Sequence, residues 1–347
     1  MSLPVEPPIK PMLAQLEKEI PRGPGWRYEP KWDGFRALIF REAERLEIES
    51  RNGQPLHRYF PELVAILDAA LPDRCVVDGE IIVPGPSGLD FDALLQRIHP
   101  AASRVKLLAS QTPSSFVAFD ALALGQDDLR LRPFDERRRQ LEKSLRGSER
   151  AFVTPQTDDP EIAESWFTRF EGAGLDGVVA KRADLPYVEG ERVMVKVKHS
   201  RTADCVVGGY RVSKDGKGVG SLLLGLYDER GVLHHVGHTS GFAAKERRDL
   251  RARLAPLEGG ESFGYGRTPG GPSRWSQGRD MAWVSLEPKL VCEVVFDHLQ
   301  GDRFRHAAGF LRWRPDKPPK ECTYDQLAPV RPFSLQEVFK AASASDR

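Results

Sequence analysis

The stretch YEPKWDGFRALIF, residues 28–40, contains the pattern on which the predicted fold depends. Strand-like residues on both sides of a Trp-Asp-Gly segment predict two β-strands joined by a short turn. Lys31 lies where the first strand ends, followed by Trp32 and Asp33. A solvent-facing lysine needs no such setting. The pattern is therefore consistent with a chemical role for Lys31. The simpler interpretation is a salt bridge at a strand edge.

Length and composition indicate an ordinary globular protein. The 347 residues are enough for two domains, and 40% hydrophobic with 29% charged residues is usual for this class. The four cysteines form no CxxC pair, which argues against zinc or disulfide scaffolds and predicts a cytoplasmic, reducing location. We expect no membrane association, because apolar runs are short and no signal core is seen. The net charge of +1 does not by itself indicate a nucleic-acid partner.

The sequence pattern of the chain changes past its midpoint. Before Ser200, apolar strand patterns such as CVVDGEIIV, residues 75–83, alternate with helical patterns such as FDERRRQLEKSLR, residues 134–146. After it, short strands broken by glycine surround one predicted helix, residues 243–257. This second pattern is typical of a small Greek-key barrel of the OB type. The sequence predicts two domains with a boundary near Ser200.

Short polar patterns accompany Lys31 along the first domain. They are SRNG (Ser50–Gly53), VDGE (Val77–Glu80), FVAFDAL (Phe116–Leu122), DGVVAK (Asp176–Lys181) and VKVK (residues 195–198). Each alone fits a turn, a solvent-facing acid or a core aromatic. Lys196 and Lys198 stand two apart in a predicted strand, so they share a face, where like charges are unfavourable unless they meet anions. Lysines for phosphate oxygens and carboxylates for a divalent metal predict a nucleoside triphosphate site.

Nucleophilic attack by a lysine needs a setting that favours the neutral amine, because an ordinary lysine is protonated at neutral pH. Cationic neighbours such as Lys196 and Lys198, together with partial burial, act in that direction. Asp33 acts in the opposite direction. Its predicted task is to orient the amine of Lys31 or to bind metal, and the sequence leaves both open.

These blocks, in this order, resemble the motifs of the covalent nucleotidyltransferase superfamily, which comprises DNA ligases, RNA ligases and mRNA capping enzymes. KWDGFR resembles motif I, SRNG motif Ia, VDGE motif III, FVAFDAL motif IIIa, DGVVAK motif IV and VKVK motif V. RFRHAAGFLRWRPDK, residues 303–317, resembles motif VI of the OB domain. PMLA near the N-terminus, Arg36 and RWRPDK are similar to ATP-dependent DNA ligases. The bacterial (actinobacterial) ligase C branch, with its two domains, is the most similar group.

The resemblance spans roughly residues 11–317 and implies an α+β fold. Residues 1–200 would form a nucleotidyltransferase (adenylation) domain of antiparallel sheets with flanking helices, and residues 201–347 an OB-fold β-barrel domain. Lys31 would attack the α-phosphorus of ATP to give lysyl-AMP. AMP would pass to the 5′-phosphate at a nick, and the 3′-hydroxyl would then seal the strand. The expected partner is nicked double-stranded DNA, and the expected cofactors are ATP and Mg²⁺ or Mn²⁺. The protein is expected to act as a monomer in DNA repair and recombination. A separately encoded primase-polymerase is an expected protein partner.

The resemblance also implies roles for individual residues. Glu29 matches a position that reads the adenine edge, Phe119 the aromatic that stacks on the base, and Arg51 a contact to the nick 5′-phosphate. The predicted catalytic residues are Lys31, Asp33, Lys196 and Lys198. The predicted nucleotide-contacting residues are Glu29, Trp32, Arg36, Arg51, Glu80, Phe119, Lys196, Lys198, Arg312, Arg314 and Lys317.

Two groups in that set carry further expectations. The motif VI cations Arg312, Arg314 and Lys317 are expected to hold the departing pyrophosphate when the OB domain closes. Glu80 and Asp176 are the predicted metal ligands. The family usually has the longer Glu at the position of Asp176, so direct and water-bridged coordination both stay open.

Alternative functions stay open from the residues alone. An RNA ligase or a GTP-dependent capping-type guanylyltransferase would share most of the motifs, although Arg36 and PMLA argue against capping. A non-catalytic module that binds nucleic-acid ends is the alternative from another class, and the intact lysines argue against it. The loop EGGESFGYGRTPGGPSRWSQGRD, residues 258–280, fits either a DNA-contacting segment or a solvent-exposed loop.

Overall fold

The computed structural model describes residues 3–86, 88–146, 148–269, 282–327 and 334–344, with the side chains of residues 340–344 left out. The described residues group into two compact units, the first within Met1–His199 and Val330–Arg347 and the second within Ser200–Pro329. A helix from the end of the chain therefore packs in the first unit. The division into domains at residues 1–200 and 201–347 stays a prediction.

The first unit is built around two main antiparallel sheets. Its strands are β1 (Leu13–Glu17), β2 (Trp26–Lys31), β3 (Phe35–Glu42), β4 (Arg45–Ser50), β5 (Arg74–Ile82), β6 (Pro84–Gly85), β7 (Gly88–Leu89), β8 (Ser115–Leu124), β9 (Asp127–Asp128), β10 (Ala151–Val153), β11 (Gly177–Arg182) and β12 (Arg192–Lys198). One sheet has the order β1-β12-β11-β2, with β1 parallel to β12 and the other pairs antiparallel. The other has the order β10-β8-β5-β3-β4, and only the β10–β8 pair along this path is parallel.

Helices flank these sheets, as the predicted fold class requires. They are α1 (Pro61–Ala70), α2 (Phe91–Arg97), α3 (Ala102–Gln111), α4 (Phe134–Ser144) and α5 (Pro160–Phe170). Helix α5 begins at a typical start signal, since the Asp159 side chain accepts a hydrogen bond from the Glu161 amide at 2.8 Å. Its buried residues Ala163, Trp166 and Phe170 follow helical spacing, and Ala163 packs with residues of β2, β11 and β12. Helix α5 thereby supports the end of β2 that carries Lys31.

In its described residues, the second unit has a five-stranded antiparallel sheet, a two-stranded sheet of Leu299–Gln300 and Arg303–Phe304, and a helix against the larger sheet. Its elements are β13 (Arg201–Val212), β14 (Val219–Tyr227), β15 (Leu233–Ser240), α6 (Ala244–Leu254), β16 (Val284–Phe296), β17 (Leu299–Gln300), β18 (Arg303–Phe304) and β19 (Gly309–Trp313). The strand order is β15-β14-β13-β16-β19. Its two edges meet through a parallel bridge between Thr239 and Ala308, where the Ala308 amide donates to the His238 carbonyl at 2.9 Å. This topology agrees with the predicted OB type, and the predicted fold class is confirmed.

The loop predicted at residues 258–280 is described only as far as residue 269, so residues 270–280 of this candidate DNA-contacting segment lie outside the described residues. Within the described part, Phe263 is buried and packs edge-on against Trp283 with a centroid distance of 5.7 Å. This aromatic is therefore a core residue of the second unit.

The chain returns to the first unit in helix α7 (Leu335–Ala344). The helix begins with a capping box: the Ser334 amide donates to Glu337 Oε2 at 2.9 Å, and the Glu337 amide donates to Ser334 Oγ at 3.3 Å.

Short 3-10 turns lie at His57–Tyr59, Glu171–Ala173, Ala255–Leu257, Pro319–Glu321 and Tyr324–Leu327. In the described parts of the chain, every helix is too short or too polar to span a membrane.

A buried ion pair supports strand β8 directly after Phe119. Arg137 of α4 donates to both carboxylate oxygens of Asp120 at 2.8 and 2.9 Å, and to the carbonyls of Arg132 and Leu185. The side chains of Arg137 and Asp120 are 0% and 2% exposed. Because a buried charge is tolerated only when it is paired, each of these residues depends on the other.

We expect Arg137→Met to lower the free energy of unfolding by about 3–5 kcal/mol, since it leaves Asp120 as an uncompensated buried charge. Urea denaturation measures this change. The matched control is Arg45→Met, which removes an arginine that is 72% exposed and paired with Glu47. The control should change stability by about 0.5 kcal/mol or less. Equal effects of the two substitutions would contradict the assigned role of the buried pair.

Candidate active site

One face of the sheet β1-β12-β11-β2 collects the charged residues of the site. Strand β11 lies between β2 and β12, and its residues have partners on both sides. Side chains alternate between the faces of a strand, so residues two apart project from the same face. Two rows of cross-strand partners share this face, and they are Lys31–Gly177–Lys198 and Glu29–Val179–Lys196. The pairing register thus brings together lysines that are far apart in sequence.

Gly177 allows this close arrangement. Its φ of +140° lies in the region that favours glycine. A Cβ at this position would lie 2.0 Å from the carbonyl oxygen of Val197, which is backbone of β12. Any larger residue would push β11 and β12 apart where Lys31 and Lys198 face each other. The glycine of DGVVAK is therefore required by the packing of the site.

Asp176 connects the two lysines of the first row. Its Oδ2 forms an ion pair with Lys31 Nζ and lies 3.0 Å from Lys198 Nζ. Its amide donates to the Lys31 carbonyl at 2.8 Å. The Asp176 side chain is 4% exposed, whereas those of Lys31 and Lys198 are 20% and 25% exposed. A buried carboxylate thus holds two partly exposed ammonium groups in place.

Lys196 experiences the concentration of positive charge most clearly. Burial lowers its pKa, and the nearby charges of Lys31, Lys198 and Arg192 lower it further, while Asp176 raises it. A bound polyanion such as a triphosphate would reduce the repulsion among these cations. The arrangement is therefore suited to phosphate binding.

A cleft of about 210 Å³ opens beside these rows. The predicted site residues that line it are Glu29, Lys31, Trp32, Arg36, Arg51, Glu80, Phe119 and Lys196. Asp176 joins the site through its ion pair with Lys31, and Lys198 through its ion pair with Asp176. Asp33 is not among the lining residues that we identify, although it raises the pKa of Glu80 and so lies nearby. The roles assigned to individual residues remain predictions.

One end of the cleft is a buried pocket around Glu29. Lys181 Nζ lies 2.8 Å from Glu29 Oε2, and Gln156 Nε2 donates to Glu29 Oε1 at 3.3 Å. Lys181 also donates to the Phe119 carbonyl at 3.2 Å and lies 4.9 Å from the centre of the Phe119 ring. Glu29 and Lys181 are each 2% exposed. This end combines a held carboxylate with an aromatic face, a combination suited to a flat heterocycle with an amino group.

Arg36 closes a second buried network on the same side. It donates to both Asp78 oxygens at 3.0 and 2.6 Å, and its guanidinium lies 5.4 Å from the centre of the Phe119 ring. Tyr187 donates its hydroxyl to Asp78 at 2.7 Å. Burial, followed by the Asp78 charge, raises the pKa of Tyr187 well above its usual value. The orientation of Arg36 is therefore fixed by protein contacts.

The Glu80 carboxyl group has an unusually high pKa. Burial raises its pKa to about 8, Asp33 and Asp78 contribute in the same direction, and Lys31 and Arg36 oppose the shift. The amide of Gly34 donates to Glu80 Oε1 at 3.1 Å. Several carboxylates close together supply the hard oxygen donors that Mg²⁺ and Mn²⁺ prefer. A divalent cation would relieve the repulsion among them, so Glu80 fits a metal-binding role.

The predicted motif VI cations lie in the second unit, and each has a carboxylate partner there. Arg312 pairs with Glu293 at 2.6 Å, Arg314 with Asp204 at 2.9 Å and with Asp316 at 2.8 Å, and Lys317 with Glu321 at 2.9 Å. These contacts are made within that unit. Their expected role with the departing pyrophosphate stays a prediction.

Sequence reasoning missed several lining residues of the cleft. Lys181 ends the DGVVAK pattern and carried a signal, because it shares a strand face with Gly177 and Val179. Arg192 stands four positions before Lys196 on the same face of β12. Leu13 comes from β1, which pairs with β12 over a separation of more than 170 residues, and no local pattern reveals that pairing.

We expect Glu80→Gln to change how stability depends on pH. The folded-state pKa of about 8 exceeds the ordinary carboxyl value, so the folded protein keeps a proton that the unfolded chain has released. The contribution of Glu80 is fully present at acid pH and is lost as the pH rises through about 8. The Tm of Glu80→Gln minus that of wild type should therefore increase as the pH is raised from about 5 to about 8 in EDTA.

Thermal unfolding at several pH values measures this difference. Glu44→Gln, at an exposed position in the turn after β3, is the control and should give a difference that stays constant with pH. A Glu80→Gln difference that also stays constant would contradict the shifted protonation of Glu80.

Comparisons with known proteins agree with this geometry. The family model described as "ATP dependent DNA ligase domain" matches residues 11–198, and the one described as "ATP dependent DNA ligase C terminal region" matches residues 215–317. DNA ligase C1 of Mycolicibacterium smegmatis is 50% identical over 350 aligned positions, which cover 98% of this chain and 99% of that protein. DNA ligase C of Mycobacterium tuberculosis is 51% identical, covering 97% of this chain and 99% of that protein.

A solved structure is similar in fold. The structure described as "DNA binding with a minimal scaffold: Structure-function analysis of Lig E DNA ligases" has a TM-score of 0.55 and 21% identity, over 87% of this chain and 99% of that one. The resemblance drawn from the ordered motifs is confirmed by the family models and the near full-length relatives. The chain belongs to the ATP-dependent DNA ligase family.

Proposed function

We propose that this protein is an ATP-dependent DNA ligase that seals nicks through a lysyl-AMP intermediate, with Lys31 as the nucleophile. The observation that carries the proposal is the Asp176 carboxylate between Lys31 and Lys198, together with the Glu29–Lys181 pair in the lining of the same cleft. The Glu29–Lys181 pocket suits an adenine base, and the lysines suit phosphates. The α-phosphate of a nucleotide that spans them would lie next to the Lys31 amine.

The base end supplies selectivity. Glu29, held by Lys181, accepts hydrogen bonds from the exocyclic amino group of adenine, and Phe119 stacks on the ring. Arg36, fixed by Asp78, faces the ribose. Because these groups are already oriented, binding the base orders little of the protein.

The first step is a displacement at the α-phosphorus. Asp176 fixes the direction of the Lys31 amine, and the positive charges of Lys196 and Lys198 attract the phosphates. The neutral amine attacks the phosphorus, an N–P bond forms, and the bond to pyrophosphate breaks. Positioning and charge neutralisation supply most of the rate enhancement in such transfers. Arg312, Arg314 and Lys317 are the proposed partners of the departing pyrophosphate.

A divalent metal, Mg²⁺ or Mn²⁺, would be held by Glu80 and Asp176, whose oxygens are the donors that these ions prefer. Such an ion supplies neutralisation of the phosphate charge that develops during transfer. Asp33 is close enough to influence Glu80, which supports its proposed part in orienting Lys31 or in metal binding.

The later steps use the same site. The 5′-phosphate at a nick attacks the lysyl-AMP, and the bond between Lys31 and AMP breaks. The 3′-hydroxyl then attacks the activated 5′-phosphate and releases AMP. Arg51, which lines the cleft, is the proposed contact to the nick phosphate.

Nicked double-stranded DNA is the proposed partner of a monomer in DNA repair. The primase-polymerase partner stays a prediction, and free, buried cysteines support the proposed cytoplasmic location.

The first test is the covalent step. The purified protein is stripped with pyrophosphate and magnesium and then offered ATP, GTP or NAD separately, and the intact mass is measured. We expect an AMP-sized increase with ATP in wild type and no increase in Lys31→Ala. A GMP-sized increase would favour capping chemistry. Absence of any adduct in wild type would favour the non-catalytic end-binding module.

The second test concerns base selectivity. Glu29→Gln should raise the KM for ATP in self-adenylylation about 10–100-fold, because a hydrogen bond with a charged group contributes roughly 1.5–3 kcal/mol. The kcat should change little, since Glu29 does not contact the reacting phosphorus. Glu44→Gln is the exposed control. A large fall in kcat with an unchanged KM would contradict the assignment of Glu29 to the base.

A further inference from the structure

Helix α7 packs against the first unit directly behind Lys31. The Phe339 ring is stacked on Trp32 with a centroid distance of 5.4 Å and on Phe152 with a centroid distance of 4.4 Å. The interplanar angles are 20° and 24°. Val338, the preceding residue, is fully buried in the same apolar cluster. A helix from the end of the chain therefore contacts the residue that follows Lys31.

Trp32 is held on two sides. Its indole Nε1 donates to Thr154 Oγ1 at 2.8 Å, and Phe339 covers a ring face. The side chain is 5% exposed, yet Trp32 also contributes to the lining of the cleft. Because a peptide unit directly links Trp32 to Lys31, the position of the indole constrains the backbone from which the lysine side chain projects.

The same cluster reaches the carboxylate partner of Lys31. Leu175, which precedes Asp176, is 2% exposed and packs in the cluster that contains Trp32 and Val338. The Asp176 amide donates to the Lys31 carbonyl at 2.8 Å, so the two backbones are joined at this point. One apolar cluster thus supports both members of the Lys31–Asp176 ion pair from behind.

We propose that Phe339 of helix α7 is a positioning residue for the adenylylation step, acting through the stacked Trp32 to set the line of approach of the Lys31 amine. This inference rests on the proposed role of Lys31 as the nucleophile. Phe339 is not among the residues that line the cleft, so it acts on the direction of the amine without touching the nucleotide itself.

The capping box gives the helix a defined start at Ser334, four residues before Val338. It orients the first turn so that Leu335, Val338 and Phe339 meet the cluster at helical spacing. Gln336 lies on the exposed side of this turn and provides a matched control on the same helix.

The physical basis is the sensitivity of displacement reactions to alignment. Removing the Phe339 ring leaves one face of the indole without its packing partner, and the indole gains freedom that its bond to Thr154 alone does not remove. A misplacement of about 1 Å at a reacting group can cost about 100-fold in rate. We therefore expect the rate of Lys31 adenylylation to fall substantially while ATP binding is preserved.

The experiment compares wild type, Phe339→Ala, Phe339→Tyr and Gln336→Ala. Single-turnover formation of the AMP adduct is measured over a range of ATP concentrations. In Phe339→Ala the maximal rate should fall about 10–100-fold with an ATP concentration dependence within about twofold of wild type. Phe339→Tyr keeps the stacked ring and should restore most of the rate. Gln336→Ala should behave as wild type.

A second measurement separates positioning from a general loss of structure. Sealing of a nick that is already adenylylated does not use the Lys31 amine as nucleophile, so Phe339→Ala should keep its wild-type rate in that assay. Thermal unfolding of each variant establishes that the protein is folded at the assay temperature.

Each outcome has a distinct meaning. A wild-type adenylylation rate in Phe339→Ala would overturn the inference while leaving the nucleophilic role of Lys31 intact. Equal losses in adenylylation and in sealing of the adenylylated nick would also overturn it, because they indicate a general structural role. Failure of wild type itself to form an AMP adduct on Lys31 would overturn the proposed function instead.

Discussion

The Asp176 carboxylate is the element on which the arrangement of the site depends. It is almost fully buried, and a buried carboxylate is stable only when cations or donors compensate its charge. Lys31 and Lys198 provide that compensation from the two strands that flank β11. The pairing register of three strands, the glycine at position 177 and the direction of the Lys31 amine are thereby linked. A change in any of them alters the others.

The protonation equilibria in the cleft are shifted in opposite directions for the same reason. Burial and cationic neighbours lower the pKa of Lys196, whereas burial and acidic neighbours raise the pKa of Glu80 to about 8. In both groups the surroundings disfavour the charged form. Pairs of titratable groups with pKa values displaced in this way are typical of sites that carry out chemistry. A bound polyanion would favour the charged form of Lys196, and a divalent cation would favour the charged form of Glu80.

Much of this site could be predicted from the sequence because its signals are local. The two-residue spacing of Lys196 and Lys198 predicted a shared strand face, and β12 confirms it. The contact between Lys31 and Asp176 could not be derived in this way. It depends on which strands pair and in what register, and these are set by contacts across more than 140 residues. The same limit applies to α7, whose helical pattern says nothing about the tryptophan that it meets.

The two ends of the cleft differ in exposure, and the difference matches the proposed chemistry. Around the proposed base pocket, the Glu29–Lys181 and Arg36–Asp78 pairs are mostly buried, and each pair has further hydrogen bonds of its own. At the phosphate end, Lys31 and Lys198 are partly exposed and share one carboxylate. During the reaction the adenosine remains bound while its phosphate changes partner from pyrophosphate to lysine and then to DNA. In the proposed mechanism, a buried base pocket beside partly exposed lysines allows one site to serve all three steps.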